Sequence, residues 1–461
     1  MAAVVRLQQP VSELNFVVII LSKFFFFIRY GWAMSQYLPT GGFKWVEDVS
    51  IFTEDFIKNL KDDSPIGYIM EVDLQYPEHL HDSHDQYPLA PQHLDIQEHM
   101  LSDHQKKLAA DLNSKVGGKK LCLTLDNKKN YVTHYRLLRQ CLRLGMRLTK
   151  VHRVLQFNQS PWVKPYIEKN TSLRQSATCK AEEDLPKLMN NSFFGKTCED
   201  TRRYKTVKIF MGKERETAVQ KKQNDPTFHR IKSYGEYFCA IQMLNQTVML
   251  DKPRYVGMSV LSISKEVMYD FHYNFIIPNF PGTKLGFTDT DSFCYQIPCQ
   301  SDIYQKIKEL DPDERWMDWS NYPKDHPNFS MKNKLVPGKF KDEGAGSQFV
   351  EGFFLRSKMY CLINEKEGLN KSTAKGINKS VKDKVLKREN YYNALFNPET
   401  PSETNDYNKV TMKRILCRDH KMHTVTQRKT GLSSYNDKLW ISRIDDTTWD
   451  THSFGHYSLR K

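Results

Sequence analysis

At 461 residues the chain can bury a large core and divide into about two to four subdomains, which excludes a short binding module. Lys and Arg number 68 against 54 Asp and Glu, and the resulting charge of +14 favours a polyanionic partner such as nucleic acid. The nine cysteines contain no Cys-x-x-Cys pair, so neither a zinc ribbon nor a disulfide framework is indicated and a reducing compartment fits. Which compartment is left open, nuclear and organellar ones included.

The first apolar stretch, Phe16 to Ile28, carries Lys23 and falls short of the roughly 20 residues needed to span a bilayer. No small-residue cleavage site follows it, so it reads as a buried strand, and no membrane partner is expected. Tyr30-Gly-Trp-Ala-Met34 and a Pro/Gly turn come next. Gly67 to Pro77 alternates apolar and acidic residues like a half-buried strand, with Glu71 and Asp73 on one face. His79, His81, Asp82, His84 and Asp85 suit a metal on paper, but their spacing fits no standard ligand template, and a polar loop closed by Tyr87-Pro-Leu-Ala-Pro91 is the reading. Residues 92–120 read as a helix and a loop.

From Tyr131 to Phe157, Arg136, Arg139, Arg143, Arg147 and Lys150 recur at steps of three and four, predicting one helix with a basic stripe that ends before Pro161 and Pro165. Solvent or an anion would meet that stripe. Asp184 caps a second predicted helix with Pro186 in its first turn; Lys187, Asn191 and Phe194 share one face of it. The two helices would form an antiparallel hairpin. Arg202 to Lys232 is basic and mostly polar, suited to nucleic-acid backbone contacts. Tyr255 to Phe271 reads as a helix packing beneath the next element.

That element, Lys284 to Ile297, is two short apolar runs folded back on each other, with Asp289 and Asp291 at the bend and only Thr290 between them. Two like charges so close call for cations, and an all-oxygen carboxylate pair suits two Mg²⁺ or Mn²⁺ ions. Phe349 to Ile363 alternates as a strand and contains Lys358-Met-Tyr360, where a basic and an aromatic side chain would grip a phosphate and a sugar together. Residues 372–396 look like a basic helix, Asn397 to Asp406 like a loop, and Thr424 to Lys461 carries no assignable motif.

Three of these stretches resemble family B DNA polymerases, specifically the protein-primed viral, organellar and transposon-borne kind. Phe287-Thr-Asp-Thr-Asp-Ser-Phe293 is similar to the palm hairpin, with Phe287 where the family usually has Tyr. Lys187-Leu-Met-Asn-Asn-Ser-Phe-Phe-Gly195 resembles the fingers motif Lys-x-x-x-Asn-Ser-x-Tyr-Gly, with Phe194 for Tyr. Tyr30 to Met34 matches the end of the palm strand Asp-x-x-x-Leu-Tyr-Gly-Trp-Ala-Met, but Phe25 stands where its catalytic Asp should be. The resemblance implies an α+β fold with an antiparallel palm sheet, a helical fingers hairpin and a small thumb. The expected division is residues 1–130 as an N-terminal remnant, palm strand and insertion, 131–205 as fingers, 206–345 as palm with the catalytic hairpin, and 346–461 as primer-gripping strand and thumb.

The resemblance further implies DNA-directed DNA synthesis by two-metal phosphoryl transfer. Asp289 and Asp291 would hold the metals and Lys187 neutralise the triphosphate. Tyr30 would select the deoxy sugar. Asn191, Phe194 and Gly195 would floor the nascent base pair, Arg174 would be a second phosphate contact, and Lys358 with Tyr360 would hold the primer. Primer-template DNA, deoxynucleoside triphosphates and a terminal protein primer are the implied partners. With fewer than thirty residues before Tyr30, an upstream proofreading exonuclease is expected to be missing, and residues 1 to about 29 are expected not to be ancestral. A wrong first exon and a decayed element both account for Phe25. Asp73 becomes a structural or substitute acid. The rival reading is a catalytically dead, domesticated DNA-binding protein derived from a transposon polymerase.

Overall fold

The computed structural model describes residues 4–5, 18–27, 29–299, 302–366, 370–396, 409–418, 421–445 and 449–460; the loop expected over Asn397–Asp406 falls outside them. Strand β1 (Val18–Phe27) leads into helix α1 (Arg29–Met34) and strand β2 (Leu38–Trp45). Strands β3 (Ile66–Gln75), β4 (Lys128–His134) and β5 (Arg147–Ser160) join β2 in an antiparallel sheet ordered β2-β5-β3-β4, with helix α2 (Tyr135–Arg143) between β4 and β5.

The single helix predicted over Tyr131–Phe157 is therefore corrected to a nine-residue helix and a long strand. Gly145 takes φ +100°, a conformation that stops the helix at little cost for a residue without Cβ. Beyond it, β3 pairs with β5 along its length, and this pairing overrides the helical spacing of the charges. Glu71 meets Arg153 at 2.6 Å and the Asn130 amide at 2.9 Å. Asp73 meets His152 at 2.8 Å and accepts the Asn130 backbone N–H at 2.7 Å. Both acids thus serve sheet β2-β5-β3-β4. The basic stripe is corrected too, because Arg136 and Arg139 are buried and each reaches Glu266 at 2.8 Å.

Helices α3 (Lys164–Gln175) and α4 (Lys180–Thr197) form the antiparallel hairpin. Asn170 Nδ2 donates to Asn190 Oδ1 at 2.6 Å, and Arg174 meets Glu183 nearer the turn. The helical pair occupies 164–197, narrower than the expected 131–205, since 131–160 belongs to the sheet and helix just described. Helix α4 also starts earlier than expected: Lys180 bonds Glu183 at 3.0 Å and Asp184 at 3.3 Å in its first turn, leaving Pro186 inside the helix. The basic segment that follows folds as strands β6 (Lys205–Met211), β7 (Phe228–Gly235) and β8 (Phe238–Leu244) in the order β7-β8-β6, exposing Lys205, Lys208, Arg230 and Lys232.

Helix α5 (Arg254–Tyr269), largely buried, packs against β2 and β4 and precedes the hairpin of a nine-stranded sheet. Strands β9 (Lys284–Thr288) and β10 (Ser292–Cys299) form its hairpin, and β10 pairs with β1 from Ser292↔Phe25 to Cys299↔Val18. Strand β11 (Lys339–Asp342) pairs with the other edge of β1 at Phe25↔Lys341, and strands β12 (Phe349–Arg356), β13 (Met359–Asn364) and β14 (Lys371–Ala374) extend the sheet. The strand expected over Phe349–Ile363 is thus a hairpin, because Lys358 adopts φ +59° and turns the chain. The predicted helix over 372–396 is likewise divided into α6 (Lys379–Val385) and α7 (Arg388–Phe396). These pack on Phe353, Leu355, Met359 and Cys361, with strand β15 (Val410–Arg418) contributing Val410 to the same core. Among the described residues, no helix is long and apolar enough to cross a membrane.

Candidate active site

The apolar runs on either side of Asp289 and Asp291 bury Leu285, Phe287, Phe293 and Tyr295, so the hairpin is clamped in the sheet while its tip projects. Both tip carboxylates are half-buried. Thr290 sits at φ +62°, the Asp291 N–H donates to the Asp289 carbonyl at 2.6 Å, and the Asp289 N–H donates to the Ser292 carbonyl at 3.1 Å. This tight turn holds the carboxylates side by side. Lys358, at the bend of the β12–β13 hairpin, brings its Nζ to 3.7 Å from Asp289 Oδ1. Its cation partly offsets charge that would otherwise repel across the turn. Tyr360 is buried and stacks on Phe287 with ring centroids 4.4 Å apart. The two residues of the Lys-x-Tyr element are divided accordingly: Lys358 reaches the acidic tip, and Tyr360 packs behind it.

Residue 25 of β1 lies directly opposite Ser292. The topology therefore puts this position beside the acidic tip, where a third carboxylate would belong, and the residue there is Phe. Among the described residues, Asp289 and Asp291 belong to no grouping of three or more potential metal ligands. A pair of carboxylates suits Mg²⁺ or Mn²⁺ by chemistry.

Five residues after position 25, the Tyr30 ring stacks on Phe194 at 4.2 Å with a 16° interplanar angle. This contact ties helix α4 to helix α1. Ala33, Met34, Leu38, Val163, Ile167, Val256, Val260 and Ile263 make the apolar seat beneath it. Gly257 lets α5 come up against the end of α4, since a Cβ there would run into the side chains of Thr197 and Cys198. Lys187, Asn191 and Gly195 are exposed, and seven residues of helix put Lys187 about 10 Å further out than Phe194 on the same face.

Residues 30–278 match the family of DNA polymerase type B, organellar and viral. The chain belongs to that family. This type B polymerase shares its fold with Phi29 DNA polymerase complexed with primer-template DNA and incoming nucleotide substrates: the TM-score is 0.51 at 14% identity, over 93% of this chain and 60% of that one. Phi29 DNA polymerase complexed with primer-template DNA alone is also similar, at TM-score 0.49 and 13% identity, with the same coverage. The chain thus spans about 60% of the length of that polymerase. No curated protein matches in sequence.

Within this type B polymerase the expected second phosphate contact is corrected. Arg174 is 2% exposed, and its guanidinium donates to the Glu183 carbonyl at 3.2 Å and meets the Glu183 carboxylate at 3.3 Å. It braces the two finger helices from inside. Sequence reasoning also passed over Lys341, which the sheet register sets opposite residue 25 on the side away from the hairpin. The run Gly338-Lys-Phe-Lys-Asp342 was its only signal, and no motif marks it.

Proposed function

We propose that this chain is the polymerising core of a DNA-directed DNA polymerase that adds deoxynucleotides to a primer terminus in protein-primed replication. The observation that carries the reading is the Asp289-Thr-Asp291 tip, with Lys358 against it and position 25 alongside. Asp289 and Asp291 are the residues that would hold divalent ions, which when bound supply Lewis-acid activation of the primer hydroxyl and charge neutralisation at the leaving pyrophosphate. Lys187, exposed on the fingers helix, neutralises triphosphate as a point charge. Tyr30, held in place by Phe194, presents its ring edge to the sugar and excludes a 2′-hydroxyl. Asn191 and Gly195 line the same helix face beneath the nascent pair. Lys358 positions the primer phosphate beside the carboxylates, and the buried Tyr360 supports it through Phe287. The exposed lysines and arginines of strands β6 and β7 suit the template backbone.

A catalytically silent, DNA-binding reading is favoured by one observation, the Phe opposite Ser292. Extension of a primed template with Mg²⁺ or Mn²⁺ separates the two. Incorporation by the natural chain that disappears in Asp289→Asn supports the polymerase; tight, salt-sensitive primer-template binding without incorporation supports the silent binder.

A further inference from the structure

The C-terminal strands β16 (Trp440–Arg443) and β17 (Trp449–His452) and the turn after them fold back against the histidine-rich segment that follows β3. We propose that Asp85, His452 and His456 form a transition-metal site of the Zn²⁺ class that clasps the C-terminal segment to this segment. The proposal stands independently of polymerase activity.

One ligand atom from each of the three residues lies within 4.8 Å of the others, a grouping that occurs at no other place among the described residues. His452 Nδ1 is 3.2 Å from Asp85 Oδ2. Two ligands bound tetrahedrally to one ion at 2.0–2.1 Å are about 3.3 Å apart, so this pair already has the separation. The outer nitrogens are also provided for: His452 Nε2 lies 3.3 Å from Asp450 Oδ1, and His456 Nε2 lies 3.2 Å from Asp82 Oδ1. A carboxylate on Nε2–H fixes the tautomer that leaves Nδ1 as the ligand, the arrangement found behind metal-bound histidines. The two imidazole rings lie at 4.3 Å with a 21° angle, so one ring turns for both Nδ1 atoms to face the same ion.

A second observation comes from His81. Its Nδ1 accepts the Tyr457 N–H at 3.1 Å, which leaves the proton on a buried Nε2 that faces the Tyr76 backbone. The ring lies 5.7 Å from that of His456. Binding displaces two contacts, the hydrogen bond between His452 Nδ1 and Asp85 Oδ2 at 3.2 Å and the Ser458 N–H that donates to His456 Nδ1 at 3.2 Å. Asp450 and His452 line a cleft of about 760 Å³ that opens an entry path and admits water. Two nitrogens and one carboxylate oxygen suit Zn²⁺ or Co²⁺ better than Mg²⁺.

The test is titration of the full chain carrying Asp289→Asn and Asp291→Asn, which removes the other carboxylate site, with Zn²⁺ by calorimetry and Co²⁺ by visible absorption. One ion per chain is expected, with an absorption spectrum showing nitrogen ligation and a rise in melting temperature. His452→Ala is expected to abolish binding. Asp450→Asn, at a half-exposed side chain, is expected to weaken it about 10-fold or more while leaving the metal-free melting temperature unchanged. Absence of Zn²⁺ binding in the parent chain, or binding by His452→Ala as tight as that of the parent chain, overturns the site.

Discussion

Replacing Phe25 by Asp tests the reading of the acidic tip most directly. Residue 25 faces Ser292 across an antiparallel pair, where Cβ atoms are about 4.5–5.5 Å apart, and Ser292 adjoins Asp291. A carboxylate about 5 Å from a divalent ion interacts with it by about 6 kcal/mol at an effective dielectric of about 20, which is an upper bound. Half-exposure and salt reduce this to about 1.4–4 kcal/mol, a gain of about 10–10³-fold in ion affinity. The same carboxylate repels Asp289 and Asp291 when no ion is present. The expected signature therefore has two signs: Phe25→Asp melts below the natural chain in EDTA and above it in Mg²⁺. The Mg²⁺ midpoint of primer extension should fall and the rate should rise. If the midpoint is unchanged and the melting temperature shows no Mg²⁺ dependence beyond that of the natural chain, position 25 does not face the ions and the two-carboxylate account fails.

Lys187→Ala should raise the KM for deoxynucleotides about 10–100-fold in steady-state extension while primer-template affinity stays unchanged, because the side chain is exposed and supports no packing. Gly257→Val should push the end of α4 away from α5, costing about 1–3 kcal/mol in thermal denaturation and weakening nucleotide binding through the displaced fingers. Lys128 is buried, with Nζ donating to the Thr124 carbonyl at 3.0 Å, and burial pushes its pKa down to about 7. The unfolded chain, with a lysine pKa near 10.4, then binds more protons than the folded one between about pH 7 and 10, so this group makes stability rise with pH over that window and contributes a constant cost below it. Lys128→Met should remove about 2–3 kcal/mol of that rise between pH 7 and 9, read from denaturant midpoints at each pH; an identical pH slope in both proteins would show that the lysine stays charged when folded.

Much of the site could be read along the chain because its chemistry is local. Asp289 and Asp291 lie within one turn, Lys187, Asn191 and Phe194 within two turns of one helix, and Tyr30 five residues beyond position 25. Short spacing fixes relative position once the element type is known, and Pro, Gly and period-two alternation identified those elements. The Phe at position 25 was legible for the same reason. Strand against helix was misread at 147–157, where basic residues at steps of three and four suit a helix, and pairing with Ile66–Gln75 overrides that local signal with a strand.

What the tertiary structure alone decided are contacts across long stretches of chain, for which sequence spacing carries no information. Arg136 and Arg139 look like a nucleic-acid stripe until Glu266, over a hundred residues later, takes both. Arg174 looks free for phosphate until helix pairing buries it on Glu183. Lys358 meets Asp289, and Asp85 meets His452, only because sheet register and the returning C-terminus bring them together. The residue types and their local order came from the sequence; which charges face inward, and so which remain available for chemistry, was settled by burial, since a charge taken from water must find its partner wherever the fold supplies one.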